Sequence, residues 1–313
     1  MSPLASRVPR ALLALAHRSL APSTARTVKN TTRAMSTDAK FSFGAEQAAY
    51  YDSVLAEGIF KPWCEKMFEV SRAVTGERVL DVATGTGIVA RELARAVGAE
   101  GGVTAMDNAP GMLARARAAS ATGARVTYVE GDACDAAHEE RVFDRAYCQQ
   151  GLQFMSDPTE AMRRVRAALK PGGHFTAAVW TTASATSNPI IYHLGEALRE
   201  VGREDWVPVA VKPMSWSASD AEGSTKLEDC LISAGFINPD VSREDGTFDF
   251  PSLDVAVDIA KVGPYGFELS NDAALWSAFA ANFKKRLAPY VLADGRVSAP
   301  ARSFIAHGVA PWN

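Results

Sequence analysis

The chain is short of several things, and each shortage closes off a class of protein. It has four cysteines in 313 residues, Cys64, Cys134, Cys148 and Cys230, with no CxxC pair among them. That is too sparse for a disulfide scaffold and too scattered for a zinc site, so they read as reduced thiols of an intracellular protein and no metal is expected. No apolar run approaches the roughly 18 residues that cross a membrane. The longest near the N-terminus, residues 11–16, is far too short. Beyond residue 40 there are no repeats and no low-complexity tracts.

Acid is scarce at one end. Residues 1–40 carry Arg7, Arg10, Arg18, Arg26, Lys29, Arg33 and Lys40 against the single acid Asp38, so the remainder of a chain with net charge −3 is markedly acidic. The leader is rich in Arg, Ser, Thr and Ala and is amphipathic over residues 8–20. It reads as an organelle transit peptide, mitochondrial rather than plastid, the alternative being the basic tail of a cytoplasmic protein. The acidic body argues against a nucleic-acid binder, which neutralises phosphates with clustered Lys and Arg. With 47% hydrophobic and 22% charged residues the body can bury a substantial core.

What is present centres on residues 79–90. The apolar run Val79-Leu80-Asp81-Val82 passes through Gly85 and Gly87 and then takes helical spacing, with Val89, Leu93 and Val97 on one face. This is a strand, a tight turn and a helix. Glycines without Cβ let a ligand press on the backbone, and the amides that open the helix point at it. Gly85-x-Gly87-x-x-Ala90 alone also fits a dinucleotide fingerprint, with Asp107 spaced for a ribose. Asp81 tilts the choice. A buried carboxylate repels a pyrophosphate but welcomes a ligand with an ammonium and a sulfonium, such as S-adenosylmethionine.

The wording around this turn resembles the first motif of the class I S-adenosylmethionine-dependent methyltransferases, and later segments continue the resemblance. Strand 102–107 ends in Asp107, Pro110 opens a helix, and strand 125–130 runs into Gly131-Asp132-Ala133. Strand 143–148 precedes Gln149-Gln150-Gly151-Leu152-Gln153-Phe154. A capping box at Asp157 and Glu160 starts a helix, Lys170-Pro171-Gly172-Gly173 stops it, and strand 174–180 follows. The wording is nearest to small-molecule enzymes related to the ubiquinone and menaquinone C-methyltransferases. The resemblance implies an α/β fold, a doubly wound Rossmann-like seven-stranded mostly parallel sheet with an antiparallel last strand, a helical N-terminal cap and a lid insertion.

That family likeness also implies roles. Asp107 would bind the ribose hydroxyls, Asp132 with the Ala133 backbone the adenine, and Asp81 the methionine end. Ala83, Gly85, Gly87, Asn108, Met112 and Gln149 would complete the cofactor contacts. Gln150, Gln153, Trp180 and Tyr192 would meet a small-molecule acceptor. Should the nucleophile need to lose a proton, His193 is the candidate, with His138 behind it; His174 and His307 fall in strands and His17 in the leader. Tyr50 or Tyr51 in the cap would touch ligand.

The expected organisation is a leader over 1–40 and one methyltransferase domain over 41–313. Within it, 41–75 is the cap, 76–180 the cofactor-binding core, 181–224 the substrate lid, and 225–313 the C-terminal helices and last two strands. Thr225 and Glu228 are expected to cap a helix that Gly235 ends, with strands over 241–248 and 302–309 and helices near 252–261 and 273–290. Two rivals stand beside the methyltransferase. One is a nicotinamide-dependent dehydrogenase, disfavoured because no TyrxxxLys pair occurs; the other is a non-catalytic organelle assembly factor of the same fold, disfavoured because the glycines and acids are intact. No Asn-Pro-Pro-Tyr stretch of the kind used on bases is present. The acceptor and the oligomeric state are not readable.

Overall fold

The computed structural model describes residues 45–119, 122–135 and 140–312. The basic leader, His17 and His138 lie outside them.

Alternating strand and helix text gives β1 (Arg78–Val82), α3 (Ile88–Val97), β2 (Gly102–Asp107), α4 (Pro110–Ala118) and β3 (Arg125–Glu130). They follow two cap helices, α1 (Ala45–Leu55) and α2 (Lys61–Val70), joined by one turn of π-helix, Ala56–Phe60. The chain then returns through β4 (Phe143–Gln149), α5 (Pro158–Ala168) and β5 (Leu169–Trp180). After the helices α6 (Pro189–Glu200), α7 (Val207–Ala210) and α8 (Asp220–Ala234) come β6 (Ile237–Phe250), α9 (Leu253–Asp258), α10 (Gly266–Asn271), α11 (Ala273–Leu287) and β7 (Val297–Val309). The seven strands lie in the order β3-β2-β1-β4-β5-β7-β6, with β7 antiparallel to both β5 and β6 and the pairs from β3 to β5 parallel. The expected doubly wound sheet with an antiparallel last strand is the one found.

The pleat explains how both faces are covered. Val79 packs with Cys64, Met67 and the apolar stripe of α3, Val89, Leu93 and Val97, on one side of the sheet. Leu80 and Val82 turn to the other side, against Met162 and Val165 of α5 and Leu227 and Leu231 of α8. The chain leaves β1 outward through β2 and β3 and crosses back to β4. The turns after β1 and β4 therefore diverge and leave a crevice at their carboxyl ends, the place where open α/β sheets bind ligands.

A third core lies beyond that edge. β7 pairs with β5 only from Ser303 to Val309, yet it pairs with β6 from Val297 onward. The excess is a two-stranded ribbon projecting past the carboxyl end of β5. Its residues Phe248, Phe250, Val297 and Ala299 bury against Ile190 and Leu194 of α6, Val257 of α9 and Phe279 and Phe283 of α11. This helical roof is held over the crevice.

Several boundaries differ from the sequence reading. Strands expected at 241–248 and 302–309 are longer, because each supplies the hydrogen bonds of the other's overhang. The Lys170-Pro171-Gly172-Gly173 stop is absorbed into β5, at an irregular pairing between Phe143↔Leu169 and Arg145↔His174. Thr225 caps nothing. The helix α8 starts earlier and is capped by Ser219, whose hydroxyl accepts from the Glu222 amide (3.2 Å), while the Thr225 hydroxyl donates back to the Ala221 carbonyl inside the helix. The expected cap at Asp157 is present, accepting from the Glu160 amide at 2.9 Å, and Gly235 ends α8 with φ +87°.

Candidate functional site

The turn after β1 is wound tightly. Ala83 (φ +58°), Gly85 (φ +56°) and Gly87 (φ +82°) all take the left-handed conformation, and the Gly87 amide closes the bend on the Thr84 carbonyl at 2.9 Å. A Cβ on Gly87 would stand 3.1 Å from that of Ala116, whereas one on Gly85 would meet nothing within 4 Å. The glycines thus have separate reasons: one lets α3 and α4 approach, the other leaves backbone open.

Asp81 is 1% exposed. One carboxylate oxygen accepts from the Thr84 hydroxyl at 2.5 Å; the other, Oδ1, is buried without a hydrogen-bond partner. Burial pushes this carboxyl up from 3.8 to about 7, with the Thr84 hydroxyl, the Ala90 amide at the start of α3 and the Arg91 charge opposing the shift and the Asp107 charge adding to it. Asp107 ends β2 and reaches across to the same bend, accepting from the Gly85 amide (2.8 Å) and the Ala109 amide (2.9 Å). Burial raises its pKa as well, and the backbone amides restrain the rise. Asp132, just past β3, is exposed and accepts from the Cys134 amide at 2.9 Å, while Ala133 is buried beside it. All three acids stand at carboxyl ends of neighbouring strands. Asn108 is exposed; Met112 packs with Ala48, Ala109 and Tyr51.

The cap closes over this bend through a residue that sequence reasoning missed. Asp52 of α1 is buried and accepts from the Thr86 hydroxyl (2.7 Å) and from Arg115 Nε and Nη2 (3.0 and 2.8 Å), with Arg91 at 3.7 Å. Arg91 also donates to the Thr86 carbonyl at 2.6 Å. Tyr51 stacks on Phe60 (5.4 Å) and turns toward Met112, near enough to Asp107 and Asp52 for both charges to raise its hydroxyl pKa after burial. Tyr50 instead reaches the Asp258 carbonyl on α9 at 3.5 Å. Of the two tyrosines, the geometry brings only Tyr51 to the crevice.

The other wall is the end of β4. Gln149 donates to the Phe60 carbonyl (2.7 Å) and Gln150, held at φ +56°, donates to the Ser303 hydroxyl (3.1 Å). Their Oε1 atoms and both amide atoms of Gln153 are buried without partners. Orphaned buried amides cost stability unless a polar group meets them, so these four atoms, like Asp81 Oδ1, are suited to a polar guest. Gly151 keeps the wall close, since a Cβ there would lie 2.5 Å from that of Ala83.

Trp180, expected at the acceptor, and His193, expected as the base, have the following neighbours. Trp180 is packed edge-on between Trp63 (5.1 Å) and Phe248 (5.0 Å), in the core rather than on a surface. His193 faces Tyr290 (6.1 Å between rings); burial and the nearby Arg286 charge lower its pKa. His174 and His307 meet each other at 3.0 Å, near the amino end of β5. Tyr192 lines a cavity of about 490 Å³ under α7.

A methyltransferase-domain family model matches residues 79–173. The chain is 35% identical over 130 residues to the ubiquinone/menaquinone biosynthesis C-methyltransferase UbiE of Bdellovibrio bacteriovorus, covering 40% of this chain and 55% of that protein. It thus spans about half the length of that relative. It is 31% identical over 193 residues to the aklanonic acid methyltransferase DauC of Streptomyces sp. strain C5, covering 59% of this chain and 87% of that one. In fold it is similar to the Haemonchus contortus phosphoethanolamine N-methyltransferase 2 solved in complex with S-adenosyl-L-methionine, with a TM-score of 0.52, 21% identity, and coverage of 85% of this chain and 57% of that one. From the glycine bend, its flanking acids and these relatives, the chain belongs to the class I S-adenosylmethionine-dependent methyltransferases.

Proposed function

We propose that this protein moves a methyl group from S-adenosylmethionine to a small-molecule acceptor. The observation that carries the reading is the unpartnered Asp81 Oδ1 beside an open Gly85 backbone and the Asp107 carboxylate. When bound, the cofactor supplies an electrophilic methyl on a sulfonium sulfur. Asp81 would hold the ammonium of its methionine end, a contact that favours the ionised carboxylate. Asp107 would hold the two ribose hydroxyls, since a carboxylate can accept from both. Asp132 and Ala133 would hold the adenine edge, with Met112 and Tyr51 as apolar cover. Gln149, Gln150 and Gln153 form the wall across which the acceptor approaches, orienting the nucleophile by hydrogen bonding while the cap and roof exclude water.

We propose that the protein's contribution is chiefly alignment and that the nucleophile arrives ready to attack; His193, whose Nδ1 is buried without a partner, is the imidazole on α6 available should a proton have to leave. The basic leader supports delivery to mitochondria, which fusing residues 1–40 to a fluorescent reporter tests directly.

The experiment for the function pairs calorimetric titration with S-adenosylmethionine and with a nicotinamide dinucleotide. Incubation with methyl-labelled cofactor and fractionated metabolites follows. The reading expects binding of the first ligand only and a labelled small product; binding of the dinucleotide instead, or cofactor binding with no labelled product from any fraction, rejects it.

A further inference from the structure

The insertion between β5 and α8 holds a cavity that the cofactor site does not account for. Its volume, about 490 Å³, lies in the range that takes a drug-sized molecule. Tyr192 and Arg199 stand on one face of α6, seven residues apart, which is about 10 Å along a helix. Val207 and Val211 supply the facing wall, and Met214 joins them. Gly195 makes this possible, because a Cβ there would come within 3.3 Å of Val211 and 3.4 Å of Val207.

The polar lining has a direction. Thr182 donates its hydroxyl proton to the Ser217 carbonyl (2.9 Å), Ser217 donates to the Ser219 carbonyl (2.7 Å), and Ser215 to the Lys212 carbonyl (2.7 Å). With these protons committed, the three hydroxyls offer only lone pairs to a guest. An anion beside them would be repelled. The positive charge in the lining is Arg199, whose ion pair among the described residues, with Glu196 in the next turn back, is exposed and therefore weak. The cavity also adjoins the crevice: the short helical turn Lys212–Met214 packs on the turn Leu152–Phe154, which carries Gln153, and on β5.

We infer that this cavity is the acceptor pocket and that it selects an amphipathic molecule with an apolar ring or chain body and an anionic group at one end. The body lies along Val207, Val211 and Met214, the anion meets Arg199 at the outer end, and the reacting end points to Thr182 and the glutamine wall. The assignment rests on the methyl-transfer reading for its purpose, though not for its geometry.

The test uses 1-anilinonaphthalene-8-sulfonate and its uncharged counterpart N-phenyl-1-naphthylamine as fluorescent probes on the full chain. One saturable site for the sulfonated dye is expected, weakened at least about tenfold by filling the cavity with Val211→Trp or with Ala183→Phe, Ala183 being a further lining residue. Arg199→Gln is expected to weaken the sulfonate about fivefold and leave the uncharged dye alone. Both filled variants should still bind S-adenosylmethionine, which shows that they fold. The acceptor found by methyl labelling should displace the dye. Undiminished dye binding in both filled variants overturns the site. Equal effects of Arg199→Gln on the two dyes overturn the anionic end, and failure of the methyl acceptor to compete overturns the pocket's role. A wild-type protein that takes the dye as described but ignores S-adenosylmethionine sinks the methyltransferase reading and leaves the cavity standing.

Discussion

Replacing Asp81 with Asn should stabilise the ligand-free protein at alkaline pH while weakening its hold on the cofactor. Folding raises the pKa of this carboxyl from 3.8 to about 7, chiefly by burial. The folded state therefore keeps a proton that the unfolded chain gives up. Stability from this group is fully present below pH 3.8, falls as the pH climbs, and is lost above about 7. A difference of about three pK units corresponds to about 4 kcal/mol, an upper bound because water and Asp107 relax when the charge appears. The amide introduced by Asp81→Asn is isosteric with the protonated acid, keeps an oxygen for the Thr84 hydroxyl, and carries no charge to desolvate. Urea unfolding at pH 5.5 and pH 8.5 reads the effect. Wild type should lose stability between the two values, and Asp81→Asn should lose less. Calorimetry should show the reverse trend for S-adenosylmethionine, whose affinity for wild type rises with pH toward 7 and is reduced in the variant, with a proton released on binding to wild type alone. Identical pH profiles for the two proteins, or undiminished cofactor affinity in Asp81→Asn, would refute the reasoning. A merely structural acid would not trade stability against binding in this way.

Other outcomes follow from the same geometry. Asp107→Ala removes a charge-assisted acceptor and should weaken cofactor binding by about 1.5 to 3 kcal/mol, measured by titration. Asp52→Ala leaves Arg91 and Arg115 without their shared carboxylate; it should cost about 1 to 2 kcal/mol in unfolding experiments and speed release of S-adenosylhomocysteine in stopped-flow traces, since Arg115 is part-exposed and the cap loses its anchor on Thr86. Gly151→Ala drives a methyl to 2.5 Å from Ala83 and should destabilise by about 1 to 3 kcal/mol, with labelled methyl transfer falling as the two walls part.

Much of the cofactor half was legible because local rules and tertiary structure agree there. The glycine bend, the acids at 81, 107 and 132 and the capping box at Asp157 are each set by residues close in sequence, and the alternation of strands and helices allowed few sheet orders. The ribbon was not legible. Asp245 and Gly246 interrupt one strand and Pro300 the other, yet Asp245↔Arg302 and Thr247↔Pro300 pair because the roof buries the far ends of both. Trp180 illustrates the same limit, since an aromatic at a strand end reads as a pocket wall until Trp63 and Phe248 close on it from distant segments. Asp52 left no trace at all. An acid in a polar helix looks solvated, and its partners come from two other helices and the glycine bend. The glutamine run after the fourth strand was visible in the sequence, though Gln149 proves to be the last residue of β4, and nothing local shows that the amide oxygens lack partners, because that depends on distant segments.

The most direct check is a crystal structure of the protein with S-adenosylhomocysteine. The account predicts the ribose hydroxyls on Asp107, the amino group within hydrogen-bond reach of Asp81, and the backbone of Gly85 beneath the ligand with its amide released from Asp107. A ligand bound away from this bend, or one that leaves Asp81 Oδ1 without a partner, would contradict it.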